Sequence, residues 1–126
     1  MAPLRKAILV VEDDADLRRL FRTALVIEGF SVTEAVDGLD ALRKLDEYLP
    51  DLVVLDLGLP LIDGFSVHAE IASRASTRHL AVVVVTGSQI DLGTLDVACV
   101  LRKPVEPDTL VETVRKCLAS TAERAY

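Results

Sequence analysis

Residues 50–64 read Pro50-Asp51-Leu52-Val53-Val54-Leu55-Asp56-Leu57-Gly58-Leu59-Pro60-Leu61-Ile62-Asp63-Gly64. Four consecutive apolar residues, Leu52 to Leu55, end on an acid, Asp56, and a stretch with Gly58, Pro60, Asp63 and Gly64 follows. A short continuous apolar run bounded by turn residues is the pattern of a strand covered on both faces, the kind found in parallel sheets. The same pattern recurs on either side. Ala7-Ile8-Leu9-Val10-Val11 runs into Glu12, Asp13 and Asp14, and Ala81-Val82-Val83-Val84-Val85 runs into Thr86. Two shorter runs complete a set of five: Ser31 to Ala35, and Cys99-Val100-Leu101, which ends near Lys103-Pro104.

Helical spacing fills the intervals. Asp14 is placed to cap a helix with Asp16 in its first turn, and Leu17, Leu20, Phe21, Ala24 and Leu25 recur along one face until Gly29 stops it. Asp37-Gly38 is a turn, after which Ala41, Leu42, Leu45 and Leu49 form a second stripe that Pro50 closes. A third helix is expected near Phe65 to Ser73. The last starts around Pro107 and carries Leu110, Val111, Val114, Cys117 and Leu118, with Thr121 to Tyr126 expected to fray. Gly87 to Ala98 holds two glycines, Gly87 and Gly93, and little helical period, so a short or irregular helix is predicted there.

Strands alternating with helices imply a doubly wound parallel α/β sheet with right-handed crossovers and helices on both faces. In such sheets ligands bind beyond the carboxyl ends of the strands. That rule collects Glu12, Asp13 and Asp14 after the first strand, Asp56 after the third, Thr86 after the fourth and Lys103 after the fifth.

Composition narrows the class. The 126 residues suffice for one domain, 1–126, with a core spanning about 6–120. Hydrophobic residues make up 51%, yet Trp is absent and Phe and Tyr number 3 and 2, so the core must be aliphatic. A net charge of −6 without a Lys/Arg block disfavours direct contact with nucleic acid or an anionic membrane. No apolar run approaches the ~20 residues of a membrane span. Met1 to Lys6 lacks the apolar stretch of a secretory signal, which places the chain in the cytoplasm. Cys99 and Cys117 read as small packing residues rather than a disulfide or metal pair.

Several carboxylates at one sheet edge repel one another, and a hard divalent cation relieves that repulsion. A carboxylate not fully engaged by the metal can attack phosphorus; a Lys ammonium pairs with phosphate, and a Thr hydroxyl hydrogen-bonds it. The order Val10-Val11-Glu12-Asp13-Asp14, then Asp56 to Gly64, then Thr86-Gly87, then Lys103-Pro104 resembles the receiver domain of bacterial response regulators across almost the whole chain.

The resemblance implies a flavodoxin-like sheet of order 2-1-3-4-5 and a phosphorelay function. Asp56 resembles the phosphoacceptor. Mg²⁺ (or Mn²⁺) would be held by Asp13, Asp56 and the Gly58 carbonyl, with Glu12 acting partly through water. Thr86 would hydrogen-bond the aspartyl phosphate, Lys103 would pair with it, and the Lys103-Pro104 bond would be cis. The donor would be a histidine kinase or histidine phosphotransfer protein, and the output an unknown protein target. Beyond its own phosphorylation and dephosphorylation the chain would not be an enzyme.

Other residues read more plainly. Asp14 is a helix cap rather than a metal ligand, Asp37 and Asp63 are turn residues, and His68 and His79 are surface or packing residues. Arg18, Arg19 and Arg22 form a solvated helix face. Three features depart from the family. The segment between Thr86 and Lys103, where receivers carry their fourth helix, is short. Val100 stands where many have a switching aromatic, and Val105 where Phe is common. Output is therefore expected through another surface, such as the first or last helix, or through a smaller rearrangement. Gly58 and Ser88, neither bulky nor acidic, leave a phosphoryl group open to water. Met1 and the short tail favour a stand-alone receiver. Two alternatives stand against the phosphoacceptor. One is a non-phosphorylated interaction module of receiver fold. The other is an Asp-nucleophile phosphatase of haloacid-dehalogenase type, which Gly58 disfavours because that class has a second Asp there.

Overall fold

The computed structural model describes residues 5–87, 92 and 99–124, with side chains as far as residue 120. The elements run β1 (Ala7–Val11), α1 (Ala15–Ile27), β2 (Ser31–Ala35), α2 (Gly38–Glu47), β3 (Leu52–Asp56), α3 (Gly64–Ser73), β4 (Ala81–Thr86), β5 (Cys99–Arg102) and α4 (Pro107–Arg124). The five strands form one parallel sheet in the order β2-β1-β3-β4-β5, as expected. The predicted short or irregular helix between Thr86 and Cys99 lies outside the described residues apart from Gly87 and Leu92. No helix among the described residues is long and apolar enough to cross a membrane.

Side chains alternate across a strand, so each apolar run feeds two cores. Ile8, Val10, Leu52, Val54, Val83 and Val85 face one layer with Phe21 and Leu25 of α1 and Leu110, Val114 and Cys117 of α4. Leu9, Val11, Val53 and Leu55 face the other with Ala41 and Leu45 of α2 and Val67 and Ile71 of α3. Phe21 is the largest fully buried side chain among the described residues, only 1% exposed. Phe21→Ala should therefore cost about 3–5 kcal/mol, read as a drop in the urea midpoint. A loss below about 1 kcal/mol would mean that the aliphatic wall closes over the gap.

Carboxylates start three of the helices. Asp14 accepts from Leu17 N at 2.9 Å, Asp37 from Asp40 N at 2.7 Å and Asp63 from Ser66 N at 2.8 Å. Asp14 is the cap expected of it. Asp37 and Asp63, read as turn residues, are also caps, because a glycine in the first helical position lets the chain enter each helix directly after the acid. α2 stops at Glu47, short of the expected Leu49. Tyr48 is already extended and Leu49 precedes Pro50, which disfavours helical backbone. α4 continues through Arg124, past the point where fraying was expected.

The register sets the strand ends level. Val11 lies beside both Ala35 and Leu55, Asp56 beside Val85, and Thr86 beside Arg102. Whatever follows β1, β3, β4 and β5 therefore emerges on one edge.

Candidate functional site

On that edge Lys103, just past β5, joins two acids. Its Nζ lies 3.0 Å from Glu12 Oε1 and 3.2 Å from Asp56 Oδ2. Asp56 ends β3, the central strand, and is 4% exposed. Its Oδ1 accepts from Gly58 N at 2.9 Å, so the following loop folds back over the carboxylate. Glu12 is 1% exposed, and its Oε2 accepts from Asp14 N at 3.2 Å. Asp13 is exposed, and one carboxylate oxygen from each of Glu12, Asp13 and Asp56 lies within 4.8 Å of the others. The peptide bond after Lys103 is cis, and the Lys103 N–H donates to Thr86 O at 2.8 Å, which ties the lysine to the end of β4.

Burial dominates the electrostatics. It pushes the Glu12 carboxyl up to about 7, against the pull of the Lys103 ammonium and aided by the charge of Asp56. Burial works against the Lys103 ammonium as well, but Glu12 and Asp56 together hold it above its ordinary range. The folded chain thus binds the Glu12 proton more tightly than the unfolded chain does. The stabilisation is complete below the ordinary carboxyl value of 4.5 and is lost as pH rises through about 7. In chelator, wild type should lose stability relative to Glu12→Gln between pH 5 and 8, by up to about 3 kcal/mol. Parallel urea curves across that range would contradict this burial effect.

The donor set suits a hard cation. All three groups offer carboxylate oxygen, and Glu12 Oε1 is buried without a hydrogen-bond partner among the described residues. Lys103 Nζ approaches that oxygen at 3.0 Å as an ion pair, which leaves it room for a further cationic partner. An oxygen-preferring divalent ion is the group such an orphaned carboxylate oxygen can serve.

Glu12, Asp13, Asp56 and Lys103 are thus brought together. Thr86 is fully buried at the end of β4, but its hydroxyl donates to Gly87 O at 3.3 Å and not to Asp56. Gly58 reaches Asp56 through its N–H and is exposed, while Ser88 lies outside the described residues. Val100 is half-buried in β5 beside Val84, and Val105 packs partly against the first core layer. His79 is exposed and His68 half-buried on α3.

Two polar residues were not foreseen. Arg18, read as part of a solvated face, is only 15% exposed, and its Nη1 donates to Glu12 O at 2.8 Å. It lies one helical turn past Asp14, a spacing that aims a long side chain back over the turn before the helix. Asp40 is 7% exposed at the start of α2. Burial acts to raise its carboxyl, yet hydrogen bonds from Arg43, Val36 N and Lys44 hold it below its usual range. Lys44 also donates to the Glu34 carbonyl, which pins α2 to β2.

A family model described as the response regulator receiver domain matches residues 8–115. The transcriptional regulatory protein PrrA of Mycobacterium tuberculosis is 41% identical over 85 residues, which cover 67% of this chain and 36% of PrrA. The response regulator PleD of Caulobacter vibrioides is 34% identical over 113 residues, 86% of this chain and 25% of PleD. The chain spans about half or less of the length of such curated relatives. Among solved structures, a CheY-like response regulator receiver domain protein from Methanospirillum hungatei superposes with a TM-score of 0.88 over 96% of this chain and 99% of its own. At 22% identity, that likeness speaks to the fold alone.

Proposed function

This chain belongs to the response regulator receiver family, and on that premise we propose that it is a phosphoacceptor whose nucleophile is Asp56. The observation that carries the reading is Lys103 Nζ bridging Glu12 and Asp56, with the Asp13 carboxylate beside them. An Asp56 carboxylate oxygen attacks the phosphorus of the donor, an acyl phosphate bond forms, and the donor group leaves with the bonding electron pair. Lys103 is already charged and placed to pair with the incoming phosphoryl oxygens. The Gly58 N–H holds one Asp56 oxygen and so limits rotation of the carboxylate. Mg²⁺ or Mn²⁺, held by Asp13, Asp56 and the Gly58 carbonyl with Glu12 partly through water, would neutralise charge on the transferring phosphoryl group. Thr86 is one residue beyond the Asp56-paired position of β4, and its hydroxyl can exchange Gly87 O for a phosphoryl oxygen.

The donor in this reading is a histidine kinase or histidine phosphotransfer protein in the cytoplasm, and the output is a protein target. Residues 1–126 act as a single receiver domain whose only turnover is its own phosphorylation and dephosphorylation.

The test is intact mass after incubation with acetyl phosphate and Mg²⁺, with and without chelator. One phosphoryl group, lost in chelator, is the expected result. No adduct, and no response to the beryllofluoride mimic either, would favour the non-phosphorylated interaction module.

A further inference from the structure

The turn between β1 and α1 carries two of the three clustered carboxylates, and its carbonyl oxygens are engaged by one side chain. Arg18 Nη1 lies 2.8 Å from Glu12 O and 3.4 Å from Asp13 O. Its Nε lies 3.3 Å from Glu34 Oε1 on β2, the strand next to β1, where Val10 pairs with Glu34. The guanidinium therefore spans from the acidic turn to a neighbouring strand, with 15% of its side chain exposed. The other ties on the turn are Glu12 N to Ala35 O of β2 at 3.2 Å, Asp14 N to Glu12 Oε2 at 3.2 Å, the Lys103 ion pair with Glu12 at 3.0 Å, and the cap bonds Arg18 N to Asp14 O and Leu17 N to Asp14 Oδ1, both at 2.9 Å. None of these holds the Glu12 or Asp13 carbonyl.

We infer that Arg18 is a positioning residue for the divalent-cation site, whose Nη1, braced through Nε on Glu34, holds the Glu12 and Asp13 carbonyls and keeps their carboxylates converged on Asp56. The inference rests on the phosphoacceptor reading above. Three carboxylates within 4.8 Å repel one another, and a loose turn would relax by swinging Glu12 and Asp13 apart. A planar guanidinium with several fixed donors resists that motion better than a point charge can.

The sign of the effect separates positioning from charge. Arg18 is itself a cation beside a cation site, so if only its charge mattered, removing it would tighten metal binding. If it positions the turn, removing it weakens metal binding. The experiment titrates wild type, Arg18→Met, Arg18→Lys and Glu34→Gln with Mn²⁺ and no phosphodonor. Free Mn²⁺ is followed by electron paramagnetic resonance, and folding is checked by urea midpoint. Arg18→Met should raise the Mn²⁺ Kd about ten-fold or more, the usual scale for groups that orient metal ligands. Arg18→Lys should fall between it and wild type, and Glu34→Gln should produce a smaller rise by releasing the brace. With acetyl phosphate, the Mg²⁺ concentration for half-maximal labelling should rise in Arg18→Met, while the rate at saturating Mg²⁺ stays near wild type.

Unchanged or tighter Mn²⁺ binding by Arg18→Met would overturn the inference and leave the phosphoacceptor reading standing. If Arg18→Met does not fold, Arg18→Lys decides: a Kd equal to wild type overturns the clamp. Failure of the wild type to bind Mn²⁺ or to take up a phosphoryl group would overturn the phosphoacceptor reading, and the inference with it.

Discussion

Asp56→Asn should take up no phosphoryl group under conditions that label the wild type, with a rate at least about a thousand-fold lower, on the scale of nucleophile removals. A carboxamide carries no negative charge to attack phosphorus and is a poor metal ligand. The substitution is nearly isosteric, so it tests chemistry rather than folding. Its carbonyl oxygen can still accept the Gly58 N–H that Asp56 Oδ1 accepts at 2.9 Å. It also removes a charge that helps to raise the Glu12 carboxyl. Asp56→Asn should therefore be at least as stable as wild type at neutral pH, with Lys103 shifting towards Glu12, its remaining partner at 3.0 Å. Intact mass and urea midpoints measured on the same samples check both halves. Persistent labelling of Asp56→Asn would place the acceptor elsewhere, with exposed Asp13 the first position to examine.

Gly64→Ala should destabilise the fold by about 3 kcal/mol or more, beyond the usual cost of an added methyl in a packed interior. A Cβ at Gly64 would lie under 3.0 Å from Asp56 O, Asp56 C and Leu57 Cα. All three are backbone atoms at the end of the central strand, so none can rotate away. Gly64 N also donates to Leu57 O at 3.1 Å, which locks the start of α3 against the residue after Asp56. The substitution therefore strikes stability and site geometry together. Other glycines give the comparison its edge. Among the described residues nothing lies within 4 Å of a Cβ built on Gly87, so Gly87→Ala should stay within about 0.5 kcal/mol of wild type. Gly29 has equally open space but a φ of 96°, so Gly29→Ala should cost about 1 kcal/mol through backbone strain alone. Urea midpoints that fail to separate Gly64→Ala from Gly87→Ala would show that the α3–β3 contact is looser than drawn.

Much of this was legible in the chain itself. The apolar run from Leu52 to Leu55 needs covering on both faces, and no other arrangement of so many such runs separated by helical stripes does that as readily as a doubly wound sheet. Once the strands are parallel, their carboxyl ends share an edge, and Glu12, Asp13, Asp56 and Lys103 converge there without further information. Asp14 as a cap and Pro107 as a helix start were equally plain, because turn and cap chemistry acts within a few residues.

What the chain did not disclose depends on partners far away in sequence. Spacing from Asp14 hints at Arg18 over Arg19 and Arg22, but only the packing of β2 beside β1 brings Glu34 within reach of Arg18 and Arg22, and of these two it is Arg18 that also reaches the Glu12 carbonyl. Asp40 looked like any helical acid until β2 and α2 closed around it. The need for glycine at Gly38 comes from Ile62, and at Gly64 from Asp56 and Leu57, contacts that exist only after the loop beyond β3 has folded back. The upward shift of Glu12 likewise required its burial beneath Lys103 and beside Asp56. The sequence alone determined the fold and the identity of the acidic and basic site residues, because hydrophobic period and turn chemistry are written in each short stretch. The tertiary structure decided burial, proton affinity and close approach, because each of these is set by the packing between stretches that sequence order keeps apart.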